Sequence, residues 1–218
     1  MGIIRYPATA LLLSALLAAC GSKPALTLPT DPDERAAACY AAKLTQFGAS
    51  DKNTSLTVVQ VNEAAHFLLL GASTNGIAQP TKAKALAERG QALLASIAER
   101  KNAADYAEPC AKAYPETLPA AFKALPADSA DTRMMCFALA NALVQIYQAS
   151  GVRPDDKGSA YARLNETLDT RISEEIRAGG EPNLAELAGR AVRGLALGAQ
   201  AGPPTMVMDA CVARYLKP

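Results

Sequence analysis

Cys39-Tyr40-Ala41 returns as Cys136-Phe137-Ala138, and Cys110-Ala111-Lys112-Ala113-Tyr114 returns as Cys211-Val212-Ala213-Arg214-Tyr215. The first pair is a cysteine followed by an aromatic and an alanine. The second is a cysteine with a tyrosine one helical turn later. Between them, Leu86-Ala87-Glu88-Arg89 aligns with Leu187-Ala188-Gly189-Arg190. The opening cysteines stand 97 positions apart and the closing ones 101, so a loop insertion of a few residues keeps the two series in step. Three matches in the same order predict a duplicated unit. The chain then divides into repeat 1 over residues 31–115, a linker over 116–129 and repeat 2 over 130–218.

The local pattern within these limits is helical throughout. Asp31 can cap a first helix, with Pro32 at its first position and Glu34 three residues after the cap. That helix runs to about Gly48. A second is expected from Ser55 to Ser73, with Val58, Val61, Ala65, Leu68 and Ala72 on one face and Gly71 and Gly76 ending it. A third runs from Pro80 to Arg100 with Leu86, Leu93 and Ile97 inward, and a short fourth holds Cys110 and stops near Pro115. In the second half, Pro182 to Gln200 reads as a central helix whose Gly194, Gly198 and Gly202 admit a close neighbour. Ala120 to Leu125 can add a helical turn within the linker. No segment alternates apolar and polar residues long enough for a strand, so the fold class is all-α, two tandem repeats of about four helices each.

Duplication also selects one of the three possible pairings of four cysteines. If each half is one unit, its opening and closing helices are joined, giving Cys39–Cys110 and Cys136–Cys211. Each bridge closes a loop of about 70 residues, worth about 4 kcal/mol by the chain-entropy estimate. A core with 5% aromatic residues and no tryptophan depends on such staples.

The fifth cysteine has another explanation. Arg5 precedes an apolar run from Ala8 to Leu17, and the run closes on Leu17-Ala18-Ala19-Cys20. Such a run is too short to span a bilayer, which takes roughly 20 apolar residues. The pattern resembles the lipobox of bacterial lipoproteins. The resemblance covers the first twenty residues and implies a signal peptide over 1–19, cleavage before Cys20, and acylation of its sulfur and new amino group. Three acyl chains exceed the two signals that stable anchoring requires. Gly21, in place of aspartate, implies sorting to the outer membrane. Residues 20–30, broken by Pro24 and Pro29, form a tether whose last ten residues extend on the order of 30 Å.

Removing Arg5 from 22 basic side chains leaves 21 against 21 acidic ones. That balance argues against a nucleic-acid partner, which calls for a strong basic excess. No two cysteines sit at C-x-x-C spacing, so neither a metal site nor a cofactor is implied.

Candidate sites are few. His66 is the only histidine and stands among Ala64, Ala65, Phe67 and Leu68. It reads as a packed side chain with one hydrogen bond, because a working base needs a partner to orient it. Glu166, Asp169, Glu174 and Glu175 interleave with Arg163, Arg171 and Arg177 and read as a solvated, ion-paired face. Asp155-Asp156 reads as a turn and cap, and Gly71 to Gly76 as a helix stop. With no catalytic constellation, the expected function is a non-enzymatic, lipid-anchored interaction module of the envelope, with the membrane and an envelope protein as partners. Its plan is loosely similar to small secreted helical proteins, some immunity proteins against cell-wall-degrading toxins among them. The alternative is a small-molecule or lipid carrier with a groove between the repeats lined by Leu68, Leu69 and Leu168. An envelope hydrolase, with His66 as base, is a third class.

Overall fold

A computed structural model describes residues 26–51, 53–179 and 183–216; the segment expected to be a signal peptide and Cys20 lie outside the described residues. These contain eight helices: α1 Pro32–Gln46, α2 Val58–Gly71, α3 Pro80–Arg100, α4 Ala107–Ala113, α5 Ala130–Ser150, α6 Asp156–Ala178, α7 Leu184–Gln200 and α8 Pro204–Tyr215. Most have explicit starts. Asp31 Oδ1 accepts from the Asp33 and Glu34 N–H groups, both at 2.9 Å. Thr57 and Gln60 form a reciprocal capping box at α2, and Ser129, Asp155 and Asn183 cap α5, α6 and α7. Each side-chain acceptor satisfies donors that the first helical turn leaves open.

The all-α expectation holds, with one small departure. Ser73–Thr74 (β1) pairs antiparallel with Ile77–Ala78 (β2). The turn between them is Asn75-Gly76, with φ of 51° and 74°, the left-handed pair that a two-residue hairpin requires. The stretch read as a helix stop therefore also reverses the chain. Its flanking runs are too short to show alternation.

Both expected disulfides form, Cys39–Cys110 and Cys136–Cys211, with Cα–Cα distances of 5.7 and 5.9 Å. Helix α1 packs on α2 and α3 and is bridged to α4; α5 packs on α6 and α7 and is bridged to α8. Smaller details recur too. Arg89 of α3 pairs with Glu34 in the first turn of α1 at 3.1 Å, and Arg190 of α7 approaches Asp131 in the first turn of α5 at 3.9 Å. Tyr114 donates to the Pro32 carbonyl and Tyr215 to Asp128, each at the entry to its half's first helix. A Cβ on Gly90 would stand 3.2 Å from the Ala37 carbonyl oxygen, and one on Gly194 would stand 3.0 Å from that of Met134. Both carbonyls belong to the residue two before the opening cysteine. The likeness is one of plan.

The halves part company at their second helices. Helix α6 keeps an exposed polar face from Arg163 to Arg177, with Glu175 reaching Arg133 of α5 at 2.9 Å. Helix α2 is buried on nearly every side, from Val58 through Leu69, and packs on α5, α7 and α8 as well as on its own half. The central helix is therefore α2. The expectation of a central Pro182–Gln200 helix is corrected: α7 lies on α5 through Gly194 and Gly198 and leaves Leu184 and Leu197 exposed. Leu68, Leu69 and Leu168 are core residues, so they line no groove.

The connecting segments are seated more firmly than their prolines suggested. The turns at Pro115–Thr117 and Pro119–Ala121 are 3-10, and Phe122 is extended, so no helical turn spans Ala120 to Leu125. Phe122 and Leu125 join the larger core. Gly202, at φ 139°, admits Phe122 where a Cβ would stand 2.7 Å from the Phe122 Cβ. At the other end, Leu28 packs on the first-half core, while Arg35 donates to the Pro29 and Thr30 carbonyls at 3.1 and 2.7 Å. The tether thus stops short of residue 30.

A Cβ on Gly71 would stand 2.4 Å from the Cβ of Ala36, which cannot swing aside, and 3.1 Å from Leu86. Gly71→Ala should destabilise the fold by about 1–3 kcal/mol through overpacking. Gly189→Ala meets only the flexible end of Arg193 and should gain up to about 1 kcal/mol from helix propensity. Urea unfolding midpoints of the two variants should move in opposite directions.

Candidate functional site

Val59, Glu63 and His66 share one face of α2 at helical spacing, while Val61 and Ala65 share the opposite one. Each face meets a cleft. The first, of about 520 Å³, is walled by Cys39, Ala42, Lys43 and Gln46 of α1, by Val59, Glu63, His66 and Phe67 of α2, and by Tyr106 with α4. Thr117, Leu118 and Pro119 form a further side, and the start of α8, Pro203 to Met206, closes it from the second half. The second cleft, about 530 Å³, is edged by Asn53, Thr54, Ser55, Gln91, Ser150 and Gly151 and is the more polar.

The first cleft combines apolar walls with a few fixed polar groups, the usual make-up of a ligand site. At its edge Lys43 Nζ lies 2.9 Å from Glu63 Oε2 and 5.0 Å from the centroid of the Phe47 ring. Thr205 accepts from the amide of Asn62 at 3.2 Å, and Asn62 in turn accepts the Tyr147 hydroxyl. Asn62 is fully buried, so these bonds satisfy it and fix α2 against α5 and α8. Burial pushes the Tyr147 phenol well above its usual range, with the Asn62 bond opposing that shift, so the hydroxyl stays protonated. Leu118 and Met206 stand on the cleft's border with 43% and 36% of their surface in water.

His66 is 1% exposed, and its Nε2 lies 2.7 Å from the Ala199 carbonyl oxygen. A carbonyl only accepts, so Nε2 carries the proton of a neutral ring. Burial drags the imidazole pKa down to about 4, against the upward pull of that bond. This is the packed side chain with one hydrogen bond that the sequence suggested. Thr117 donates to the Tyr114 carbonyl at 2.7 Å, and the two cysteines in the wall are joined. No hydroxyl is paired with His66 among these bonds.

The other candidates fall elsewhere. The charged residues from Arg163 to Arg177 lie on the exposed face of α6, and Asp155 caps that helix by accepting from Gly158 at 2.9 Å. Among the described residues no three His, Cys, Asp or Glu side chains cluster as a metal-ion site, and no helix is long and apolar enough to cross a membrane. Lys43, Glu63, Leu118 and Met206 escaped notice in the sequence. Only Pro203-Pro204 after Gly202, a rigid stop before a helix, hinted at a shaped edge there. Compared with known proteins, the chain matches no family model, no curated protein and no solved structure.

Two outcomes follow from this geometry. Cys39 and Cys110 border the cleft, whereas Cys136 and Cys211 are wholly buried and border neither cleft. Graded dithiothreitol, alkylation and peptide mapping should therefore label Cys39 and Cys110 before the other pair. His66 resists protonation in the fold until pH is near 4 but accepts it near 6.5 once unfolded. Its stabilising contribution is complete above pH 6.5 and is lost as pH falls toward 4, by up to about 3 kcal/mol. The gap in urea unfolding free energy between the native protein and His66→Gln should shrink over that interval.

Proposed function

We propose that the chain is a lipid-anchored helical module of the bacterial envelope, held on the periplasmic side of the outer membrane through Cys20 and acting by binding, not catalysis. The division of the cysteines carries this reading. Of five, four are joined within the fold, and the fifth closes Leu17-Ala18-Ala19-Cys20. Intramolecular disulfides suit an oxidising compartment outside the cytoplasm. Leu28, where the chain joins the core, stands eight positions after Cys20, a reach on the order of 25 Å. The protonated Nε2 of His66, committed to a carbonyl, supports a non-catalytic role.

The cleft of about 520 Å³ favours a second reading, a carrier of a small molecule. It replaces the groove expected at Leu68, Leu69 and Leu168. A partner protein remains the leading reading, to be sought by crosslinking in intact envelopes. Native mass spectrometry of protein taken from its own membranes addresses the carrier.

Intact-mass analysis should find the exported chain beginning at Cys20 with three acyl chains attached, and Cys20→Ala should abolish that modification and the membrane retention it confers. A native N-terminus without added mass would end the anchored reading.

A further inference from the structure

We propose that the first cleft binds a neutral, largely apolar small molecule. This deepens the carrier reading and rests on it. The volume of about 520 Å³ lies within the range of small-molecule sites, and the cleft sits where the first half meets the start of α8. Pro119, Pro203 and Pro204 stiffen the wall, so little ordering is needed on binding.

Charge decides the ligand class. Lys43 and Glu63 already neutralise each other at 2.9 Å, and His66 is uncharged, so no cleft charge is left to match an ionic ligand. Bringing an unmatched charge against these walls would forfeit its hydration without return. The neutral His66 ring has spent its one N–H on the Ala199 carbonyl, so it has no donor left to offer an anionic ligand. Leu118 and Met206 supply the remaining argument. Both are large apolar side chains of the cleft lining that stand substantially in water, and a bound apolar molecule would cover them. Methionine adapts readily to the shape of such a guest.

N-phenyl-1-naphthylamine fits the description: it is neutral and largely apolar. The full chain carrying Cys20→Ser, so that no acyl group is added, should bind it saturably at one site with a blue-shifted emission. With no tryptophan in the sequence, the probe is excited without protein background. Met206→Asp and Leu118→Asp, at exposed positions, should each weaken binding at least tenfold. Leu184→Asp, exposed on α7 and outside the cleft wall, should leave it unchanged. Comparison across these proteins cancels any contribution from residues 1–25. Absence of saturable binding, or binding that the two cleft variants leave intact, would overturn the proposal. An anionic or cationic ligand found by native mass spectrometry would refute the ligand class while sparing the carrier. Membrane-derived protein that is consistently empty would sink the carrier reading itself.

Discussion

A helix that is apolar over more than half of its circumference cannot rest on a single neighbour. Helix α2 presents Val58, Val61, Ala64, Ala65, Phe67, Leu68 and Leu69 over that arc, and all are buried. One half supplies α1 and α3 to cover it, and the other supplies α5, α7 and α8. The two halves are thus joined by a shared burial requirement, beyond the single covalent linker. Asn62 and His66 make the arrangement specific. Buried at zero and 1% exposure, they find their partners on α5, α7 and α8, and an incorrect docking of the halves would strand both.

The clefts are a by-product of this geometry. Helices of both halves packed along one shared rod leave seams beside it, and the seams differ because their edges differ. One is closed by prolines, a disulfide and the start of α8; the other borders the polar loop around Asn53 and the C-terminal end of α5. A polar seam can remain filled with water at little cost. An apolar one of similar volume with Leu118 and Met206 beside it has more to gain from a guest.

Much of the local structure was legible from residues alone. Asp31-Pro32 and Pro80 mark helix starts that the fold reproduces, and the spacing of Cys39, Cys110, Cys136 and Cys211 was enough to pair them. These features depend on near neighbours or on a pattern stated twice. The role of α2 is not legible, because the helix expected from Ser55 to Ser73 shows one apolar face, Val58 to Ala72, and nothing local says that distant helices cover more of it. The small hairpin was hidden by the shortness of its strands around Asn75-Gly76. The site was the least legible part. Lys43, Glu63, Leu118 and Met206 come to line one cleft only after five segments converge, and no local signal marks any of them.

Neither bridge crosses from one half to the other, and this has a mechanical meaning. A load entering at residue 26 and leaving near residue 216 would pass from Cys39 directly to Cys110 and from Cys136 directly to Cys211, with separations of 71 and 75 residues shunted out of the path. Only residues 26–39, 110–136 and 211–216 can lengthen under tension. Most of the polypeptide, the buried rod included, is sheltered from a pull along its own chain. The stretch between the bridges would yield as the extensible element.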